Sequence, residues 1–147
     1  MTQPTGAFRR FDIDAAQLQT DGRCVYFDSR TALRAFMQGR HPDGELSFAT
    51  IGDVFRKTIA GRACIVVRAF GDMVDALSID GNIEAAVELE DLWNDLAARH
   101  AFSLLCAYST AQMLATTRTH DLAQICHRHQ HVIQAHESGR NASKREA

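Results

Sequence analysis

Apolar residues along this chain follow two alternating rhythms: short, nearly continuous runs, and longer stretches with apolar positions three or four apart. The short runs are Arg23–Phe27, Ala63–Phe70 and Phe102–Tyr108, bounded by turn-forming residues such as Gly22, Asp28 and Gly61. Their β-branched and aromatic content predicts strands. The unbroken run from Ala63 to Val67 predicts burial on both faces, as in a parallel sheet.

The longer stretches predict helices. Ile13, Ala15, Ala16 and Leu18 make a short one, ended by Asp21–Gly22. Ser29 is placed to cap the next, with Leu33, Phe36 and Met37 on one face before Gly39 and Pro42. Asp43 or Ser47 opens a third, carrying Leu46, Phe48, Ile51, Val54, Phe55 and Ile59, with Gly61 as its terminating glycine. A short helix covers Asp72–Ile79. Asn82 then caps the longest, Ile83 to His100, whose stripe is Ile83, Ala86, Val87, Leu89, Leu92, Trp93 and Leu96. Glu84, Glu88, Asp91 and Asp95 fall mostly outside it. A weaker region, Ala111–Thr119, leads to a final helix near Leu122–His131.

Strand, helix pair, strand, helix pair, strand is a crossover pattern that yields an α/β fold, a small parallel sheet flanked by helices. Three strands are few for this architecture, so an edge is expected to stay open or to pair with another chain. Residues 1–10 read as a flexible lead-in, 11–136 as one domain, and the polar 137–147 as a disordered tail.

Composition narrows the class further. The length, 147 residues, suits one domain, and a net charge of -2 gives no pull toward nucleic acid or an anionic membrane. No apolar run approaches the roughly 18 residues of a membrane span, and the N-terminus has no signal-peptide core, so a cytoplasmic protein is expected. Cys24, Cys64, Cys106 and Cys126 form no CxxC pair, and three lie in the strand-like runs. They read as reduced core thiols rather than a secreted disulfide framework.

Motifs of catalysis are missing: the sequence has no GxxxxGK[ST], GxGxxG, GxSxG or HExxH, and Lys57 is its one lysine before the tail. An enzyme is not expected, and no cofactor is called for. Two groups remain. Arg68, Asp72 and Asp75 gather at the C-terminal end of the central strand, where open parallel sheets bind ligands; alternatively, Gly71–Asp72 only turns the chain into a helix. Trp93 and Tyr108 would supply an apolar wall, although a lone Trp on an apolar stripe is more often core. The second group is the histidine-rich end, with Cys126, His127, His129 and His131. His127 and His131 would share a helix face and are weak metal candidates with Cys126; the alternatives are a solvated helix end or a pH-sensitive surface.

The run RAFGDMVDAL, then DGNIEAAVELEDLWNDLAARHAFSLLCAY, resembles the C-terminal half of the MEDS domain, a sensory module of methanogen, methylotroph and dichloromethane-responsive regulators. The closing ICHRHQHVI resembles that family's ending. Upstream, DIDAAQLQTDGRCVYFDSRTALRAFMQGRHPDGELSF is similar to its middle section, so the resemblance runs from about Asp12 to Ala135. It implies a divergent RecA/KaiC-like fold, N-terminally truncated so that only the C-terminal two-thirds of the family is present, without its first strand and phosphate-loop turn. Gly71–Asp72–Met73 stands where many members have Gly-Glu-Met.

The resemblance implies a non-catalytic sensory or regulatory domain in bacterial signal transduction. It would act through protein contacts, as a homo-oligomer or with a histidine kinase or response regulator, and with a small apolar or hydrocarbon-derived ligand. The alternatives are a ligand-free oligomeric interaction protein and a residual nucleotide-binding RecA-like domain.

Overall fold

In the computed structural model, residues 12–62, 66–109 and 119–133 are described; the expected lead-in, tail and weak region at 111–118 lie outside them. In chain order the elements are α1 (Ala15–Thr20), α2 (Ser29–Phe36), β1 (Met37–Gln38), β2 (His41–Pro42), α3 (Gly44–Ile59), β3 (Val67–Gly71), α4 (Met73–Ile79), α5 (Ile83–Arg99), β4 (Phe102–Cys106) and α6 (Thr119–His127).

The starts of α1, α2 and α3 are each fixed by an aspartate that caps the helix, though not always the expected residue. Asp28, not Ser29, caps α2: its Oδ1 accepts from the Thr31 amide at 2.8 Å. Ser29 instead donates its hydroxyl proton to Asp72, tying the start of α2 to the turn after β3. Asp43 rather than Ser47 caps α3, accepting from the Leu46 amide at 2.9 Å. Asn82 occupies the cap position of α5 without capping it; its side-chain amide donates to the Arg40 carbonyl at 2.7 Å. Gly61, beyond α3, and Gly81, between α4 and α5, both have φ of +72°, a conformation that side chains with a Cβ disfavour.

β3 and β4 pair in parallel, with Val67 opposite Phe102 and Gly71 opposite Cys106, joined by the helix pair α4–α5. This is the expected crossover, but the sheet has two strands among the described residues, not three. Residues 23–27 alternate in burial as a strand would, with Cys24 and Tyr26 turned inward, yet they enter no ladder. Side-chain alternation sets which residues face inward, and backbone pairing needs a neighbour at ladder distance as well. A two-residue antiparallel pair, Met37–Gln38 with His41–Pro42, was not foreseen; Gly39, at φ of +64°, makes its turn.

One face of the parallel pair carries the core. Phe36, Leu89 and Leu96 are fully buried, joined by Phe55, Met73, Val74, Leu77 and Trp93. Phe102 packs against Phe55, ring centroids 4.6 Å apart, and against Trp93 at 6.5 Å. On the other face Val66, Phe70 and Leu105 are exposed, so burial on both faces is not seen among the described residues; Ala63, Cys64 and Ile65 of the expected run lie outside them. The inward positions, Val67, Ala69, Phe102 and Leu104, are where alternation meets the helices.

Candidate functional site

Ionisable side chains from three elements converge at the C-terminal end of the parallel pair. Glu90 lies near the middle of α5, one turn after Ala86 and three residues before Trp93, on the stripe that faces the core. Its residue is only 2% exposed. A charged group so buried needs partners. Tyr108, just beyond β4, donates its hydroxyl proton to Glu90 Oε1. Cys106, the last residue of β4, brings its thiol to 3.9 Å from Oε2. His129, beyond α6, places Nε2 3.4 Å from Oε1 and 3.5 Å from the Tyr108 oxygen.

The surrounding backbone fixes each member. Alternation along β4 turns Phe102, Leu104 and Cys106 inward, and the chain carries the same sense on to Tyr108. Asp75, on α4, accepts from the Ser109 amide at 3.0 Å and so holds the segment that presents Tyr108. Arg128 clamps the turn after α6 onto α5, its Nε and Nη2 donating to the Asp91 carboxylate at 2.8 and 3.1 Å. Asn94 adds a hydrogen bond to the Arg128 carbonyl at 3.2 Å. His129 Nδ1 lies 2.9 Å from the Ile125 carbonyl, which accepts only if Nδ1 carries a proton. In the neutral ring Nε2 then turns an unprotonated lone pair toward Glu90 and Tyr108.

Electrostatics follow from this packing. Burial, and then the Glu90 charge, push the Tyr108 phenol well above its ordinary value. The same two causes push the Cys106 thiol up to about 12, so it stays a thiol at neutral pH. The cluster is therefore one buried Glu90 side chain with a phenol and a thiol that keep their protons and an imidazole nitrogen beside them.

Of the residues expected to form a site, Tyr108 lies in this cluster and Asp75 supports it from behind. Arg68 sits on the open outer face of β3 beside Phe70, and Asp72 is exposed at the start of α4, held by Ser29. Asp72 and Asp75 take different partners, the Ser29 hydroxyl and the Ser109 amide. Trp93 is 6% exposed and packs into the core. The void beside it holds about 10 Å³, lined by Ser47, Leu92 and Leu96 among others, and has no room for an organic ligand.

The expected helix over 122–131 ends at His127. His127 and His131 therefore do not share a helical face; both are exposed, and Cys126 is half-buried. The chain turns at Arg128 because its side chain reaches back to Asp91 and to the Gln124 carbonyl. A turn of that kind leaves no mark on apolar spacing. Glu90 and Cys106 were not foreseen as site residues, yet Glu90 had a signal: it is an acidic residue on an otherwise apolar stripe.

A second feature lies apart from this cluster. A groove of about 220 Å³ runs between α2 and α3, lined by Phe27, Ala32, Ala35, Ile51 and Val54 with Asp28, Thr31 and Thr50. Among the described residues no helix is long and apolar enough to cross a membrane.

Compared with known proteins, the chain matches the family model described as MEDS, the methanogen/methylotroph, DcmR sensory domain, over residues 5–130. That span starts at residue 5, so the likeness is not limited to the C-terminal two-thirds that the motifs suggested. No curated protein and no solved structure matches the chain.

Proposed function

The chain belongs to the MEDS family of sensory domains, and from that premise we propose that it is a regulatory module whose input is a small ligand at the Glu90–Tyr108–His129 cluster. The observation that carries this reading is a buried carboxylate, phenol and imidazole gathered at the C-terminal end of parallel strands, the edge where open α/β sheets take ligands. A carboxyl group, a phenol and an imidazole in mutual contact recognise a ligand by hydrogen bonding and charge, and a change there bears on α5, β4 and the turn after α6 together. The module works without catalysis; the missing nucleotide and nucleophile motifs favour that reading.

Its output is contact with another protein chain. The open face of the strand pair, with Phe70 69% and Leu105 59% exposed, favours such a contact. The family likeness points to a second copy of the chain or to a histidine kinase or response regulator. Two parallel strands bridged by a helix pair are compatible with a divergent RecA-like ancestry.

A panel of small polar and apolar metabolites, screened by thermal shift against the wild type and Tyr108→Phe, tests the input site. A stabilising compound whose shift disappears in Tyr108→Phe is expected. Compounds that stabilise both proteins equally would remove the cluster from the reading. A second placement is favoured by the apolar lining of the α2–α3 groove, which suits a small hydrocarbon-derived ligand. Ala35→Trp fills that groove; a ligand shift lost in Ala35→Trp and kept in Tyr108→Phe would favour it.

A further inference from the structure

The geometry points to a divalent metal site of zinc type at Glu90 (carboxylate), Cys106 (Sγ) and His129 (Nε2). This names a ligand class for the proposed sensory input and rests on that placement of the site. The three donor atoms lie within 4.8 Å of one another. Zinc bonds of about 2.0–2.3 Å to oxygen, nitrogen and sulfur, at tetrahedral angles, set neighbouring ligand atoms roughly 3.3–3.7 Å apart. Here Nε2 lies 3.4 Å from Glu90 Oε1 and Sγ lies 3.9 Å from the other carboxylate oxygen, Oε2, so the two donors approach the carboxylate from its two oxygens and a metal between them draws the three ligand atoms together.

The donors come from α5, β4 and the turn after α6, and each orientation is fixed by contacts independent of a metal. His129 gives its Nδ1–H to the Ile125 carbonyl at 2.9 Å, the backbone partner that commonly sets the tautomer of a zinc-bound histidine. Tyr108 remains the outer donor to Glu90, whose two oxygens can accept it and the metal together. Arg128 and Asp91 lock the turn that carries His129. Three protein ligands leave a fourth position open, the arrangement of a site that exchanges a water for an incoming ligand. Binding forms the sulfur–metal bond and releases the Cys106 proton to solvent, so metal uptake strengthens as pH rises.

The exposed group His41, Glu84 and Glu88 is the other cluster of metal-binding type among the described residues. It supplies no sulfur donor, and that difference separates the two by spectroscopy.

The test uses the full chain, stripped with a chelator and titrated with zinc and with cobalt(II). One cobalt per chain is expected, with visible bands of tetrahedral intensity and a near-ultraviolet sulfur-to-cobalt band. Cys106→Ser should abolish the sulfur band, and both Cys106→Ser and His129→Gln should weaken zinc binding by at least about tenfold. His41→Ala should change neither. Because His129 is at the edge of the cluster, its variant is expected to fold even if Glu90 variants do not. Binding that survives Cys106→Ser and His129→Gln unchanged, or that is lost in His41→Ala, overturns the assignment, as does no stoichiometric binding at all. If zinc fails while an organic ligand still acts through Tyr108, only the metal assignment falls and the sensory site stands.

Discussion

Tyr108→Phe removes one oxygen and nothing else, which makes it the sharpest probe of the buried Glu90. The phenol is the partner that donates directly to Oε1; what remains is His129 Nε2 at 3.4 Å and the Cys106 thiol at 3.9 Å. A hydrogen bond to a charged group is worth about 1.5–3 kcal/mol, and removing the donor leaves the buried carboxylate under-solvated. The Cys106 thiol, a weak donor, makes good only a small part of the loss, so a destabilisation of about 2 kcal/mol is expected. In a domain of this size that lowers the melting temperature on the order of 6 °C. Urea denaturation in chelator-treated buffer measures it. The same change made in a Glu90→Met background should cost less than about 0.5 kcal/mol, since no buried carboxylate is left to desolvate. Equal costs in the two backgrounds would refute the reasoning, because the phenol would then contribute by packing alone.

Three further outcomes follow from the packing. Leu89→Ala, at a fully buried position on α5, should cost about 3 kcal/mol in urea denaturation through the cavity it leaves. Arg128→Ala should loosen the turn bearing His129 while lowering stability by no more than about 1 kcal/mol, since the Asp91 pair is partly exposed; faster amide exchange at residues 128–130 checks it, and unchanged exchange would contradict the clamp. Arg30, through its hydrogen bond to Asp80, holds the Asp80 carboxyl below the ordinary carboxylate value. A carboxylate with a lowered folded-state pKa stabilises the fold above its unfolded value and loses that contribution as pH falls through the folded one. The stability gap between wild type and Asp80→Asn, below about 1 kcal/mol at neutral pH for so exposed a pair, should therefore close in acid; a gap that widens there would count against the ion pair.

Much of the fold was legible because helical spacing and turn glycines are local signals. The stripe from Ile83 to Leu96 sits where α5 runs, and Gly61 and Gly81 take the positive φ that their turns require. What stayed hidden depends on partners distant in the chain. Arg23–Phe27 has the alternation of a strand, but nothing in its own residues says whether a neighbour lies at ladder distance. Ser29 looks like a cap until Asp72, 43 residues away, takes its hydroxyl. The site divides the same way. Tyr108 could be named from its place at a strand end, whereas Glu90, a charge on the apolar stripe, was missed. Cys106 looked like any core thiol, and His129 reaches Glu90 only because Arg128 ends the helix early and folds the chain back.

Hydrogen–deuterium exchange, comparing the chain with and without the ligand that stabilises it most, locates the input site directly. Slower exchange in peptides covering Glu90, Cys106–Ser109 and Ile125–His129 is the predicted result. Protection confined to the groove between α2 and α3, with those peptides unchanged, would contradict the placement of the sensory site at the strand ends.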